Sequence, residues 1–148
     1  MEARSVNILL VEDNQAHARL VTRGIAAQRI RNRISHVADG AAALDYLRHR
    51  PPYEDACEHP IPDLILLDLQ LPKVNGLEVL RQVKTDDELK KIPVVVLTTS
   101  SASDDIDQAY ALQANSYLVK PLDFASFAQL MRDLGFYWLN WNRPPLLR

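Results

Sequence analysis

Five side chains in this sequence place acids, a hydroxyl and an amine at the ends of apolar runs. Asp68 closes Leu64-Ile65-Leu66-Leu67, and Glu12-Asp13 follow Ile8-Leu9-Leu10-Val11. Thr98 follows Val94-Val95-Val96-Leu97, and Lys120 follows Tyr117-Leu118-Val119. If each run is a buried strand of one parallel sheet, all five residues converge at the carboxyl edge, where open α/β sheets build their sites. Three carboxylates so close would repel and raise at least one pKa unless a cation neutralised them. Mg²⁺ suits such a set, because it takes hard oxygen ligands, uses one or two protein carboxylates, and fills its remaining positions with water and phosphate oxygens. A carboxylate can also attack phosphorus to give an aspartyl phosphate. A cationic Lys120 and the Thr98 hydroxyl would then stabilise the anionic phosphoryl oxygens.

Each residue also has a plainer use. Asp68 could be a loop acid or helix cap, Thr98 a simple strand former, and Tyr117 a static core aromatic. Glu12-Asp13 could cap a helix beginning at Gln15, a task Asn14 can perform equally well. Four consecutive apolar residues before Asp68 favour the strand end, and capping acids alone would not recruit groups from other strand ends. His17, His36, His49 and His59 show no ligand spacing and read as surface or packing residues. The single cysteine, Cys57, excludes an intrachain disulfide and any multi-cysteine zinc site.

The elements that must carry these residues alternate regularly. Strands are predicted at Val6–Val11, 34–37, Leu64–Leu67, 94–97 and Ser116–Val119, four of them nearly continuous hydrophobics that suit burial on both faces. The more polar 34–37 strand, broken by Ser35 and His36, belongs at an edge. Helical spacing occupies 15–28, with Gly24 allowing close approach to the sheet, and 40–49, with Asp39 as N-cap. It continues at 76–84 and at 104–113, where Ile106, Ala109 and Tyr110 are expected to be buried. Asp123 could cap a last helix whose inner face is Phe124, Phe127, Leu130, Met131 and Leu134. Strict β–α alternation implies an α/β fold with a parallel, doubly wound sheet. Residues 49–63 carry Pro51, Pro52, Pro60 and Pro62 and read as a long loop. A tolerated surface insertion is the preferred reading, and a partner contact is the other.

At 148 residues the chain is long enough for one domain with one sizeable core. Seventeen basic and nineteen acidic residues leave a formal charge of -2, so no basic field is available for nucleic acid. Neither a signal peptide nor an apolar segment of about 20 residues is evident, so membrane insertion is not expected and a cytoplasmic location is.

The ordered set resembles a response-regulator receiver domain of bacterial two-component signalling. It is carried by Leu10-Val11-Glu12-Asp13, Leu66-Leu67-Asp68-Leu69-Gln70-Leu71-Pro72, Gly76, Val96-Leu97-Thr98 and Tyr117-Leu118-Val119-Lys120-Pro121. The resemblance implies a flavodoxin-like (βα)5 fold with strand order 2-1-3-4-5, as one receiver domain over 1–148 with its core at about 5–135. It implies Asp68 as phosphoacceptor from a histidine kinase or small phosphodonor, with Glu12, Asp13, Asp68 and the Gln70 carbonyl holding Mg²⁺. It implies Lys120 pairing with Asp68 and then with the phosphoryl group, and Thr98, chosen over Thr99 by family spacing, swinging toward that group. Tyr117 is then the switch aromatic, Lys120–Pro121 the family's cis peptide, and Gln70 and Ser100 positions that tune phosphoryl lifetime. Such a domain is not an enzyme beyond its own phosphorylation and dephosphorylation.

With no output domain expected, the protein should act by binding a partner or by handing its phosphoryl group onward as a phosphorelay intermediate. The extension at 136–148 contains Phe136-Tyr137-Trp138-Leu139-Asn140-Trp141 and Pro144-Pro145-Leu146-Leu147. Leu134 and Trp138 can continue the inner stripe, but Phe136, Tyr137 and Trp141 cannot all face inward from one helix. A homodimer through the last helix is expected. With the proline-rich insertion, Leu97-Thr98-Thr99-Ser100 and the segment at 111–117, this tail resembles single-domain regulators paired with phytochrome-type histidine kinases, so the expected partner is a kinase such as a bacteriophytochrome. An enzyme of haloacid dehalogenase type also forms an aspartyl phosphate, but it needs a second acid two residues on, where this chain has Gln70.

Overall fold

The computed structural model describes residues 5–29 and 31–143. Strands β1 (Val6–Val11), β2 (Asn32–Val37), β3 (Leu64–Leu67), β4 (Val94–Thr98) and β5 (Ser116–Val119) alternate with helices α1 (Gln15–Ala26), α2 (Gly40–Leu47), α3 (Gly76–Thr85), α4 (Ser103–Ala111) and α5 (Phe124–Phe136). The strands are parallel and ordered β2-β1-β3-β4-β5, the doubly wound arrangement expected from the sequence.

Side chains alternate across each strand, so β3 sends Ile65 and Leu67 to one face and Leu64 and Leu66 to the other. The first pair packs with Leu44 and Leu47 of α2, Val79, Leu80 and Val83 of α3 and Ala109 of α4. The second packs with Val21 and Ile25 of α1 and Phe127 and Met131 of α5. All four β3 residues are essentially inaccessible to solvent. Burying each such leucine or isoleucine contributes roughly 1.5–3 kcal/mol. That is why central strands lack the polar alternation seen in β2, which lies at an edge as expected.

Helix starts follow local chemistry. Asn14, Asp39, Asn75 and Asp123 each accept a hydrogen bond from the backbone N–H three residues on. The assignment to Asn14 matters, because it leaves Glu12 and Asp13 free of the capping task.

Four expectations are corrected. A Cβ on Gly24 would lie 2.5 Å from the Met131 Cβ, so this glycine admits α5 rather than the sheet. Phe124 is 68% and Tyr110 49% exposed. The helical stripe gives a direction but not its width, and residues at the margin fall outside the contact. The cis peptide among the described residues is Pro51–Pro52, not Lys120–Pro121.

The 49–63 insertion docks on the edge of the sheet. Arg33 of β2 donates to the carbonyls of Cys57 and Glu58, and the Tyr46 hydroxyl donates to the Pro60 carbonyl at 2.9 Å. The Tyr46, Tyr53 and His59 rings pack pairwise with centroids 5.1–5.6 Å apart.

Beyond α5 the helix continues as a π-helical turn, Tyr137–Trp141. Leu139 is buried and Trp138 packs on the α1–α5 core, whereas Phe136, Tyr137 and Trp141 are exposed. Pro144-Pro145-Leu146-Leu147 lie outside the described residues. No helix among the described residues is long and apolar enough to cross a membrane.

Candidate functional site

Sheet register assembles the site. Val11 pairs with Leu67 and Leu67 with Val96, so the residues that follow them emerge side by side. The Asp68 N–H donates to the Val11 carbonyl at 3.1 Å, and the Lys120 N–H donates to the Thr98 carbonyl at 2.7 Å. These ladder ends set the backbone of Asp68 and Lys120 to within a hydrogen bond of the neighbouring strands.

Carboxylate oxygens of Glu12, Asp13 and Asp68 all lie within 4.8 Å of one another. Lys120 reaches into this group, with its Nζ 2.5 Å from Glu12 Oε1 and 3.1 Å from Asp68 Oδ2. Glu12, Asp68 and Lys120 are buried, while Asp13 faces solvent. One ammonium therefore pairs with two acids of a cluster of three. The Glu12 carboxyl is pushed up to about 7, because burial disfavours its charged form more than Lys120 favours it, and Asp68 adds repulsion. A crowded, partly desolvated acid group of this kind fits a hard divalent cation, which would supply the missing positive charge.

The loop after β3 closes around Asp68. The Gln70 N–H donates to Asp68 Oδ1 at 3.1 Å, and Gly76 N–H donates to the Leu69 carbonyl at 2.9 Å. A Cβ on Gly76 would stand 2.3 Å from the Asp68 carbonyl oxygen, so only glycine lets the start of α3 approach this closely. Across the mouth, Thr99 Oγ1 donates to Gln70 Oε1 at 3.5 Å.

Thr98 and Tyr117 meet at Ser100. The Thr98 hydroxyl, fully buried, accepts from the Ser100 N–H at 3.4 Å, and the Tyr117 hydroxyl donates to the Ser100 carbonyl at 2.9 Å. Burial pushes the Tyr117 phenol up, so it stays a donor. Ser100 Oγ in turn donates to Asp105 Oδ2 in the first turn of α4.

Two histidines that read as bland in the sequence belong here. His17 Nδ1 lies 3.0 Å from Lys120 Nζ, and His36 Nε2 lies 2.7 Å from the Glu12 carbonyl oxygen. Their partners are 103 and 24 residues away, so no local spacing could announce them. The one hint is that His17 stands on the first turn of α1, beside the acids. By contrast, a cleft of about 710 Å³ lined by Arg48, His49, Ile61 and the 86–92 turn lies at the opposite, amino-terminal edge of the sheet, away from this chemistry.

The family model for the response regulator receiver domain matches residues 8–132. The chain belongs to that family. This receiver is 49% identical over 138 residues to a probable methanogenesis regulatory protein, FilR2, of Methanothrix harundinacea, covering 93% of this chain and 86% of FilR2. It is 42% identical to the response regulator Rcp1 of Synechocystis, covering 90% and 88%. The solved structure of Mn²⁺-bound Rcp1 superposes with a TM-score of 0.90 at 40% identity, over 95% and 99% of the two chains. That of the phosphorylated cyanobacterial phytochrome response regulator RcpA superposes at 0.91 and 40%, over 97% and 100%. The receiver is thus a signalling protein of the two-component class.

Proposed function

We propose that this receiver accepts a phosphoryl group on Asp68 and signals through the conformation that follows. The observation that carries the reading is a cluster of three carboxylates, two of them bonded to one buried ammonium, with Asp68 enclosed by its own loop. Lys120 donates to Asp68 Oδ2 at 3.1 Å and so holds the carboxylate in place as the nucleophile. As the bond between donor and phosphorus breaks, an Asp68 oxygen bonds to phosphorus, and the Lys120 ammonium is in place to pair with the new equatorial oxygens. Glu12, Asp13, Asp68 and the Gln70 carbonyl would hold Mg²⁺, which when bound neutralises charge on the transferring group.

Thr98 and Tyr117 are the switch pair. Both are bonded to Ser100, so a Thr98 hydroxyl drawn toward a phosphoryl oxygen must release the Ser100 amide and loosen the Tyr117 contact with the same residue. The donor is a histidine kinase, and the likeness to RcpA, a cyanobacterial phytochrome response regulator, supports a kinase of bacteriophytochrome type. Exposed Phe136, Tyr137 and Trp141 support a homodimer through the end of α5. A single receiver domain acting in the cytoplasm suits these properties.

Incubation with acetyl phosphate and Mg²⁺, followed by intact mass, tests the reading. A gain of one phosphoryl mass that disappears in Asp68→Asn is expected. No gain under any of several phosphodonors would overturn it.

A further inference from the structure

Lys120 is bonded to one group that the acid–hydroxyl–amine set does not explain. An ammonium has three N–H donors and no acceptor, and Nζ has three neighbours, Glu12 Oε1, Asp68 Oδ2 and His17 Nδ1. The third contact is 3.0 Å long, as short as an ordinary charged hydrogen bond. Because the ammonium can only donate, Nδ1 must accept, which places the imidazole hydrogen on Nε2 and leaves the ring neutral.

The ring is also held in place. The His17 N–H is taken by the Asn14 cap at 3.0 Å, fixing the first turn of α1. The imidazole lies against Phe127 of α5, with centroids 5.3 Å apart and planes at 34°. His17 Nδ1 is 4.0 Å from Glu12 Oε1, so Lys120 is its nearer polar partner.

We propose that His17 is a positioning residue for Lys120. Glu12 cannot serve a cation and Lys120 equally well. A cation drawn to Glu12, Asp13 and Asp68 competes for the oxygen that Lys120 now holds most closely. His17 offers the amine an acceptor that carries no charge and takes no part in the acid cluster. With that contact kept, Lys120 stays beside Asp68 when Glu12 turns to the cation. Without it, the amine loses its third acceptor and its position relaxes. This rests on Asp68 being the phosphoacceptor.

His17→Phe keeps a ring against Phe127 but removes the acceptor, whereas His17→Asn sets an amide Oδ1 near the place of Nδ1. At saturating Mg²⁺, phosphorylation of Asp68 by acetyl phosphate should slow by about tenfold in His17→Phe, as expected for losing a hydrogen bond to a charged group. His17→Asn should recover most of that rate. Mg²⁺ affinity, measured by calorimetry, should change little in either variant. Equal impairment of both variants, or a wild-type rate in His17→Phe, would overturn the proposal. Nitrogen NMR gives a readout independent of phosphorylation: the His17 Nδ1 signal should shift in Lys120→Met. If it does not, the contact is absent in solution and the proposal fails. If it does while no donor phosphorylates the wild type, the phosphoacceptor reading fails on its own.

Discussion

Two lysines sit at opposite edges of the same sheet, and their surroundings differ in kind. Lys84, at the end of α3, donates to the carbonyls of Lys90 and Ile92 and to Asn115 Oδ1, at 3.1, 2.8 and 3.1 Å. All three acceptors are neutral, and burial pushes the Lys84 amine down from its ordinary value. Lys120 instead meets two carboxylates and an imidazole. Lys84 ties a turn and two strands together and has nothing to exchange. Lys120 sits among groups that a cation or a phosphoryl group would rearrange. A buried amine bonded to backbone is a staple, whereas one bonded to crowded acids is poised to change partners.

The largest effect expected is on the Lys120 side. Lys120→Met should leave Mg²⁺ binding intact or tighter, since a competing charge is gone from the acids. It should also uncouple phosphorylation from any change at Tyr117, read by proton NMR or fluorescence on addition of acetyl phosphate. A variant that phosphorylates and responds like the wild type would erase the distinction between the two lysines.

Gly76→Ala comes next. Its Cβ meets the Asp68 carbonyl oxygen, and overpacking against backbone costs about 3 kcal/mol. Urea denaturation should show that loss, and the phosphorylation rate should fall with it, because the displaced atom belongs to Asp68. Lys84→Met should cost about 2 kcal/mol by removing the three hydrogen bonds of a half-buried amine. Its phosphorylation rate, measured where the variant is folded, should match the wild type. A slowed rate there would show that the two edges of the sheet are coupled.

Glu12 supplies a pH test of the acid cluster without metal. Its carboxyl moves from 4.5 to about 7 on folding, so the folded state binds that proton more tightly. The contribution is full below pH 4.5 and is lost as pH rises through about 7, a change on the order of 3 kcal/mol. The melting temperature in chelator should therefore fall across that window, and Glu12→Gln should flatten the fall. The smallest effect on stability is expected for Trp141→Glu, within about 0.5 kcal/mol because the side chain is exposed. On the proposed homodimer, sedimentation should nonetheless show this variant as a monomer at concentrations where the wild type self-associates.

Much of this molecule was legible before its structure. Runs such as Leu64-Ile65-Leu66-Leu67 leave a strand buried on both faces as the simple solution, and parallel strands bring Glu12, Asp13, Asp68, Thr98 and Lys120 to one edge. The insertion was legible only as a loop, because its anchors, Arg33 and Tyr46, precede it in other elements. Phe124 and Tyr110 were misplaced because periodicity says which way a residue leans, not whether a neighbour reaches it.

The sequence by itself determined the order of elements, the chemistry of the strand ends and the Asp39 and Asp123 caps. Each depends on hydrophobic runs or on residues within one turn of each other. Only the tertiary structure decided that Lys120 has His17 as a third partner, that His36 holds the Glu12 carbonyl, and that Gly24 serves α5. Those contacts join residues far apart in the chain through packing, and packing leaves no period to read.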